Sequence, residues 1–551
     1  MSKKTTHLPR TAYFCMEYGL SSDFKIYAGG LGILAGDYLK GAKDHGYPIV
    51  GIGIKWKQGY GDQMIGADGQ PFDAYHNYRY DFLKDTGVKV DVAIRGVNVR
   101  CKVWMVDAFG NAPLLLLDTD LPENADAWIT GQLYGWFGEE RIAQEMVLGI
   151  GGVRALRALG IEVDVYHFNE GHALFAGFEL LREEMEHLQK KAGHHKAAGK
   201  TFFKKALAKV REKIVFTTHT PVVQGNESHP IDRILYMGAN LNLTRKQLEK
   251  LGGEPFNMTV GALRLSRKSN AVAQLHGKTA NKMWKHVEGR SEIVAITNGI
   301  HVPTWVDPAM LLAAEQKGGD LWKPHQANKK ALIELVRQRT GTRLNPNKLL
   351  IGFSRRAVAY KRSDLIFRNP KIIEPLLKDQ TVQIIFSGKA HPLDDGGKAI
   401  VANLVAMSKK YPNSVVFLAN YDMTIGAALT RGADVWLNNP VRPKEASGTS
   451  GMKAAMNGVL NFSILDGWWP EACDHGKNGW QFGDAFEHEN PAVQDAHDLK
   501  AFYKVLTQEV VPTYYNNRKK WLDMMRQSIL STQEPFSVKR MLEEYYGLLY
   551  H

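Results

Sequence analysis

The stretch Glu445–Asn457, which reads EASGTSGMKAAMN, holds the densest group of residues that could do chemistry. Gly448 has no Cβ, so backbone there can approach a ligand closely. Thr449 and Ser450 are N-cap candidates for a helix that reads clearly from Met452 onward, and the free amides of a first helical turn bind anions. The stretch therefore predicts an anion site.

Lys453 falls inside this predicted first turn. The helix dipole favours anions at that end, so a lysine is slightly unfavourable there. It is explained if its charge is removed by a Schiff base or faces a bound phosphate. An ordinary capped helix with a solvated lysine is the alternative.

Cationic side chains cluster after the predicted strand Leu349–Phe353, at Arg355, Arg356, Lys361 and Arg362. Arginine offers a fork of donors and lysine a point charge, which suits a phosphate clamp. A solvated basic turn is the alternative interpretation.

Polar residues also follow two predicted strands of the first half. Glu170 and His172 come after Val163–Phe168, and His219 comes after Lys213–Thr218. Open α/β sheets bind ligands at the carboxyl ends of their strands. Taken alone, each histidine is equally well explained as a structural residue.

A glycine-rich turn joins the predicted strand Thr11–Met16 to a helix that runs through Leu39. Gly29, Gly30 and Gly32 could bring amides against a phosphate or a sugar hydroxyl. The spacing does not fit the dinucleotide-binding fingerprint, and close helix–sheet packing also requires glycine.

These motifs together resemble the α-glucan (glycogen, starch, maltodextrin) phosphorylases. Glu445–Lys453 is similar to the segment whose lysine carries pyridoxal phosphate in that family, and Asn457–Gly467 continues the likeness. The spacing of Arg356 and Lys361 matches the family's phosphate-holding Arg-x-x-x-Tyr-Lys-Arg. Thr297–Ile300 resembles the string at the family's domain junction.

The resemblance implies a role for each matching residue. The implied catalytic residues are Lys453, Arg356, Lys361 and His219. The implied cofactor contacts are Lys453, Gly448, Thr449, Ser450, Tyr421, Arg355, Trp305 and Gly30. The implied substrate contacts are Glu445, Ser447, Gly448, Asn298, His219, Gly30, Leu31, Glu170 and His172.

The resemblance also implies the reaction. An α-1,4-glucan and inorganic phosphate would give α-glucose 1-phosphate, with retained configuration, and a glucan one unit shorter. Pyridoxal 5′-phosphate on Lys453 would serve through its phosphate group as a proton relay. The partners would be the glucan or a maltooligosaccharide, phosphate and glucose 1-phosphate.

The chain departs from the family at several points. Glu170 stands where the family has aspartate, and Val358 and Ala359 stand where many members have His-Glu. The contacts to the acceptor sugar near Val358 are therefore not carried over. At 551 residues the chain is shorter than most members, so we expect a minimal form without the N-terminal regulatory extension.

Two other functions fit the same architecture. A nucleotide-sugar-dependent glucan synthase would need no pyridoxal phosphate and would leave Lys453 without a purpose. A catalytically degenerate glucan-binding protein is the second. A glycosidase would need a compelling pair of carboxylates, and the sequence offers none.

The elements that position these residues form an α/β pattern. Strand candidates of the second half are Leu349–Phe353, Val382–Phe386, Ser414–Leu418, Ala433–Leu437 and Val459–Ile464. Their alternation with helices predicts a doubly wound parallel sheet.

With the resemblance, the fold class becomes two doubly wound Rossmann-like domains that face a cleft, the GT-B type. We expect domains at residues 1–298 and 299–530, the second binding pyridoxal phosphate. A terminal helix at 531–551 would pack back on the first domain.

Composition adds exclusions. The chain has a formal charge of +13, much of it in Lys190–Lys213, which lacks the aromatic interleaving of a nucleic-acid stacking platform. We interpret this segment as a solvated loop and helix face. No apolar stretch could span a bilayer, and three dispersed cysteines predict neither a metal site nor disulfides. We expect a cytoplasmic protein with no nucleic-acid or membrane partner; homodimer formation stays open.

Overall fold

The computed structural model describes residues 7–192 and 199–551. It is a mixed α/β structure with two large, mostly parallel sheets and two short antiparallel sheets of two strands each.

The strands, in chain order, are β1 Thr11–Phe14, β2 Ile49–Ile54, β3 Asp62–Ile65, β4 Pro71–Ala74, β5 Lys84–Ile94, β6 Val97–Val106, β7 Leu114–Asp118, β8 Val165–Asn169, β9 Ile214–Thr217, β10 Ser228–His229, β11 Phe256–Asn257, β12 Lys268–Ala271, β13 Glu292–Ala295, β14 Leu349–Ser354, β15 Val382–Ser387, β16 Val415–Leu418, β17 Val435–Asn438, β18 Leu460–Ile464 and β19 Gly479–Phe482.

The α-helices are α1 Gly30–Asp44, α2 Glu139–Met146, α3 Gly152–Ala158, α4 Leu174–Ala192, α5 Gly199–Arg211, α6 Ile231–Met237, α7 Arg245–Gly252, α8 Met258–Leu265, α9 Gln274–Met283, α10 Val302–Trp305, α11 Pro308–Glu315, α12 Trp322–Thr340, α13 Pro370–Lys378, α14 Asp395–Lys410, α15 Met423–Gly432, α16 Thr449–Met456, α17 Trp469–Ala472, α18 Pro491–Val505, α19 Val511–Asn516, α20 Arg518–Thr532 and α21 Val538–Glu544.

The first large sheet has nine strands in the order β13-β12-β9-β8-β1-β2-β7-β6-β5. It is parallel from β13 to β7 and ends in the antiparallel strands β6 and β5. The sequence from Val90 to Asp107 alternates in the manner of antiparallel strands with a turn near Arg95-Gly96, and Ile94 lies opposite Val97 at that turn.

The second large sheet has six parallel strands in the order β16-β15-β14-β17-β18-β19. Alternate residues of β14 belong to different apolar clusters. Ile351 packs in a cluster with residues of α13 and α14, whereas Leu350 packs in a cluster with residues of α12 and α15. Helices therefore cover both faces. The strand order reverses between β14 and β17, and such a switch point opens a crevice at the carboxyl ends of the strands.

The chemistry-bearing residues lie just beyond these carboxyl ends. In the first sheet, Glu17 follows β1, Glu170 follows β8 and His219 follows β9. In the second sheet, Arg355 follows β14, and the loop that contains Glu445 follows β17. The fold thus brings side chains that are distant in sequence to the edges of two sheets.

The C-terminal segment lies against the first sheet's helices. Val538 packs on Gly41 of α1, and Tyr550 bonds His167 of β8 at 2.6 Å. The predicted amphipathic tail is helical, but it breaks after Thr532 and resumes at Val538. The expected domain boundaries at residues 298 and 530 stay a prediction.

Two strands of the large sheets and all four strands of the short sheets were not foreseen. β12 is polar in sequence but paired between β9 and β13, and β19 follows a turn-like segment. The expectation of a solvated basic face at Lys190–Lys213 falls partly on 193–198, outside the described residues. Among the described helices, none is long and apolar enough to cross a membrane.

A fully buried ion pair anchors the second sheet to α12. Lys329 donates to Asp434 at 2.6 Å and to the carbonyl of Lys348 at 2.7 Å, and both charged side chains have no exposed surface. Asp434 also accepts from the amide of Leu350 and from His325. Burial alone would raise the pKa of Asp434, but the Lys329 charge and the His325 bond together lower it.

We expect Asp434→Asn to leave the Lys329 ammonium buried without a counter-charge, at a cost of about 3–5 kcal/mol of unfolding free energy. Asp523→Asn, which breaks the exposed Lys519–Asp523 pair, should cost under about 1 kcal/mol. Chemical denaturation of both variants checks this, and equal losses would contradict it.

Candidate active site

Helix α16 begins at Thr449, and Gly448 is its N-cap with a φ of 85°. Thr449 and Ser450 are therefore not caps, as the sequence suggested, because the left-handed turn at Gly448 starts the helix earlier. They lie in the first turn, where their amides have no intrahelical acceptor. Lys453 lies one turn further along and not in the first turn.

The Lys453 amine is buried against an indole. The residue is 5% exposed, and its Nζ lies 3.8 Å from the ring centroid of Trp305. Burial lowers the pKa of Lys453 to about 8, an effect that the Asp37 charge opposes and the Arg355 charge reinforces. A lysine whose pKa approaches neutrality reacts readily with a carbonyl group.

Arg355 brings an incompletely bonded cation to the same helix. Its Nη1 lies 4.0 Å from Glu445 Oε2, and its Nη2 lies 3.6 Å from where a Cβ on Gly448 would be. Within residues 7–192 and 199–551, buried Arg355 Nε and Nη2, Ser447 Oγ and Ser450 Oγ have no hydrogen-bond partner. Buried donors without partners are costly, so this cluster suits an anion with several acceptor oxygens.

Tyr421 lies beside this cluster. The Arg355 charge acts on its hydroxyl, and burial raises the pKa of Tyr421 to about 12. The phenol therefore stays protonated and can donate to an anion.

Lys361 and Glu445 form a buried pair next to Arg355. Lys361 Nζ donates to Glu445 Oε2 at 2.6 Å. Burial alone would raise the pKa of Glu445, but the charges of Lys361 and Arg355 together lower it. Asp466 fixes the loop, because its Oδ2 accepts from the Glu445 amide at 2.9 Å.

Arg356 is the exposed cation of the group, and its charge acts on both Glu17 and Glu445. It therefore lies where the edges of the two sheets meet. Arg362 does not join it, because its guanidinium bonds Asp495, Asp498 and two backbone carbonyls. The predicted four-cation clamp thus contains three cations.

The glycine turn before α1 is held by a buried carboxylate. Glu17 Oε2 accepts from the amides of Ala28 at 2.6 Å and Gly29 at 3.0 Å, and Tyr134 donates to Oε1. Gly30 is exposed at the helix start, and Leu31 is half-buried behind it. The turn therefore presents a helix N-terminus towards the side where Arg356 lies.

Glu170 and His219 form the next part of this edge. Glu170 accepts from the His219 amide, and from Thr220 Oγ1 at 3.1 Å. His219 Nε2 bonds Asn169 at 2.6 Å, and burial lowers the pKa of His219 to about 3. His219 is thus neutral, and its ring is tied down by Asn169.

His172 lies with two carboxyl groups that the sequence analysis missed. Ligating atoms of His172, Glu145 and Glu227 lie within 4.8 Å of one another. Burial and the Glu227 charge raise the pKa of Glu145, whereas the His229 bond and the Arg141 charge outweigh burial and lower that of Glu227. The raised pKa of Glu145 favours its protonated form.

Asn298 lies at the junction after β13. Its Oδ1 is buried without a hydrogen-bond partner in the described parts of the chain, and Arg540 of α21 holds its carbonyl at 3.0 Å.

Comparison with known proteins decides the family. The family model described as carbohydrate phosphorylase matches residues 312–483. Maltodextrin phosphorylase of Thermococcus litoralis is 37% identical over 98% of this chain and 70% of its own. Glycogen phosphorylase of Aquifex aeolicus is 35% identical over 99% and 86% of the two chains. An uncharacterised protein of Methanocaldococcus jannaschii is 36% identical over 98% and 99%.

The chain belongs to the carbohydrate phosphorylase family.

Membership confirms the resemblance that the motifs suggested. The structure gathers seven of the eight residues expected to bind the cofactor around the start of α16, namely Lys453, Trp305, Gly448, Thr449, Ser450, Arg355 and Tyr421. The eighth, Gly30, lies at the start of α1. Glu445, Lys361 and Arg356 adjoin them. Glu170, His172 and His219 lie at the first sheet's edge, and their individual roles stay predictions.

Several residues of the site carried no sequence signal strong enough to single them out. Glu17 looked like one residue of a strand end, and Glu145 lies within a helix predicted only from its apolar spacing. Asp37 lies on a helix face that the sequence marked as packing. Asp466, before a glycine in a turn-like segment, had the clearest signal.

Asp466 gives a testable pH dependence. Burial, with the Glu445 charge, raises the pKa of Asp466 to about 7. Between the pKa of Asp466 in the unfolded chain and about 7, the folded chain therefore binds one more proton than the unfolded chain. The free energy of unfolding should then fall as pH rises, and this group contributes about 1.4 kcal/mol per pH unit.

Asp466→Asn removes this contribution. Denaturation curves from about pH 4.5 to about pH 6.5 should therefore show stability falling less steeply, or rising, relative to the unchanged chain. Parallel pH profiles would contradict the assignment.

Proposed function

We propose that this chain catalyses the reversible phosphorolysis of α-1,4-glucans, releasing the non-reducing-end glucose as α-glucose 1-phosphate with retained configuration. The named relatives, maltodextrin and glycogen phosphorylases, support the substrate class. The observation that carries the proposal is the buried Lys453 amine beside the unpartnered Arg355 and the first turn of α16.

The residues around Lys453 fit pyridoxal 5′-phosphate. Lys453 would hold its carbonyl carbon, Trp305 would pack against the linkage, and Arg355, Ser450 and the α16 amides would hold its phosphate. Unpartnered donors in the described structure are the feature that such a phosphate would satisfy. When bound, the group supplies a phosphate that can donate and accept a proton beside the substrate phosphate.

The chain's own cations would orient the substrate phosphate. Arg356 is exposed where the two sheets meet, Lys361 is already paired with Glu445, and the Gly30 amide opens α1. Positive charge fixed in place before the reaction lowers the barrier without reorganisation, which is commonly a large part of catalysis.

Polar groups of both sheets would bind the sugar. Glu445, Ser447, Gly448 and Asn298 would take the hydroxyls of the reacting glucose, and the His219 carbonyl would favour positive charge at its anomeric carbon. Glu170 and His172 would contact the acceptor glucan, with protonated Glu145 able to donate to a hydroxyl.

We propose a GT-B arrangement for the fold. The second sheet has the 3-2-1-4-5-6 strand order of Rossmann folds, which supports this proposal. The parallel strands of the first sheet would face the same cleft with their carboxyl ends. Residues 1–298, 299–530 and 531–551 would be the two domains and the returning helix. A cytoplasmic location and homodimer formation stay predictions of the sequence.

The two alternatives predict different chemistry. A nucleotide-sugar-dependent synthase would use an activated sugar and no inorganic phosphate. A degenerate binder would hold glucan without turnover. The synthase does not explain why the chain buries a lysine beside a cluster of unpartnered anion donors, and measured turnover would exclude the degenerate binder.

Replacing the lysine tests the cofactor. Lys453→Ala should lose both bound pyridoxal phosphate and phosphorolysis, because no other amine occupies its position. Borohydride reduction followed by peptide mass mapping should find a pyridoxyl group on the Lys453 peptide of the unchanged chain. Lys444→Ala, at an exposed lysine of the preceding loop, is the control and should keep both. A fully active Lys453→Ala chain would end the proposal.

Replacing Arg356 separates phosphate use from cofactor binding. Arg356→Ala should keep the cofactor and raise the KM for phosphate, with kcat/KM falling about 10- to 100-fold for the loss of one charge-assisted contact. Arg337→Ala removes an exposed arginine paired with Glu334 and should change neither. An unchanged phosphate KM in Arg356→Ala would remove this residue from the site.

A further inference from the structure

Asp37 is a buried carboxylate on α1 whose bonds are all accepted ones. It is 1% exposed, and Trp305 Nε1 lies 3.0 Å from Oδ1 and 2.9 Å from Oδ2. The amide of His301 donates to Oδ2 at 3.1 Å. Two N–H donors and no acceptor satisfy the ionised form, but a buried anion still needs a counter-charge.

The counter-charge lies across the indole. Trp305 turns its N–H to Asp37 and its face to Lys453, whose Nζ is 3.8 Å from the ring centroid. A cation over an indole face is attracted by the ring, and an anion bonded to the indole N–H polarises the ring in the same sense.

The surrounding charges single out Asp37. On Lys453, the Asp37 charge favours the protonated form and the Arg355 charge opposes it. Burial raises the pKa of Asp37, and the charges of Lys453 and Lys40 oppose that rise by favouring the ionised carboxylate. The Asp44 charge acts on Lys40, which also donates a hydrogen bond to Thr304. Asp44 bonds His301 at 2.6 Å, so its charge is directed at Lys40 and His301 and not at Lys453.

Trp305 is itself fixed from the Lys453 side. Its carbonyl accepts from Arg431 at 3.0 Å and from Asn457 at 3.1 Å, and Asn457 also bonds the Lys453 carbonyl at 2.9 Å. The indole is thus held between α1 and α16, with little freedom to move away from the amine.

We propose that Asp37 is a positioning residue for Lys453: it holds the Trp305 ring against the lysine nitrogen and supplies the negative charge that keeps this nitrogen protonated. Where the inference concerns the lysine nitrogen bound to a carbonyl cofactor, it rests on the proposed function. Where it concerns the free amine, it does not. A nitrogen that keeps one charge state holds the cofactor without exchanging a proton, so proton transfer would occur at the phosphate end of the site.

The test is a pH titration of the full chain loaded with pyridoxal phosphate, followed by the cofactor's absorbance. Asp37→Asn should lower the midpoint by at least about one pH unit, a tenfold change in proton affinity. Asp37→Glu should restore most of it. Asp44→Asn, a carboxylate on the same helix, is the matched control and should leave the midpoint unchanged.

A second readout needs no cofactor. The rate at which cyanate modifies Lys453 in the cofactor-free chain, followed by peptide mass mapping across pH, should give a lower apparent pKa in Asp37→Asn. If the unchanged chain takes up no pyridoxal phosphate, the proposed function fails while this readout still tests Asp37.

A midpoint and a labelling profile identical in Asp37→Asn and the unchanged chain would overturn the inference. If Asp37→Asn does not fold, Trp305→Phe carries the same test. It keeps a ring against Lys453 but removes the N–H that holds Asp37, so it should shift the midpoint in the same direction, and an unchanged midpoint would again overturn the inference.

Discussion

Positive charge buried between two sheets is the constraint on which the site depends. Lys453, Lys361 and Arg355 all lie out of bulk water near the start of α16. Taking ions out of water costs several kcal/mol each unless opposite charge or hydrogen bonds compensate. Glu445 compensates Lys361, and Asp37 acts on Lys453 through Trp305. Arg355 retains two unpartnered nitrogens, so the cluster is completed best by an added anion.

The carboxyl-end edge of the first sheet carries acidic side chains instead of cationic ones. Glu17, Glu145 and Glu170 follow or flank strands of the first sheet, and burial raises the pKa of each. A carboxyl group with a raised pKa is protonated more readily, and a protonated carboxyl can donate to a hydroxyl as well as accept from one. The cationic edge therefore suits phosphate groups, and the acidic edge suits sugar hydroxyls. The reacting glucose would contact both edges, because Glu445 of the cationic edge is also expected to bind its hydroxyls.

Local patterns predicted much of this arrangement. Buried parallel strands read as apolar runs, so β14, β15, β17 and β18 were recognisable, and a family-specific string singled out Glu445–Lys453. The start of α16 was misjudged because a left-handed glycine, and not a hydroxyl side chain, caps it. Thr449 and Ser450 looked like caps because cap preference is a statement about local bonding only.

Other residues could not be predicted from local patterns because their roles arise from tertiary contacts. Arg362 has the same sequence neighbourhood as Arg356, yet Asp495 and Asp498 draw its guanidinium away. β12 is polar in sequence, and only its place between β9 and β13 makes it a strand. Asp37 and Lys453 are more than four hundred residues apart in the sequence, and the residue pattern within α1 does not indicate that they interact.

The junction between the sheets links this charge pair to the shape of the cleft. Asp37 belongs to α1, which Val538 of the tail packs upon at Gly41, and Lys453 belongs to α16 beside the second sheet. Bonds such as Gln63 to the Ala390 backbone and Tyr27 to the Met423 amide hold the two sides together. Because a charge interaction weakens with distance and with entering water, separating the sheets would weaken the hold of Asp37 on Lys453. The charge state of the lysine nitrogen therefore depends on the contacts that hold α1 against α16.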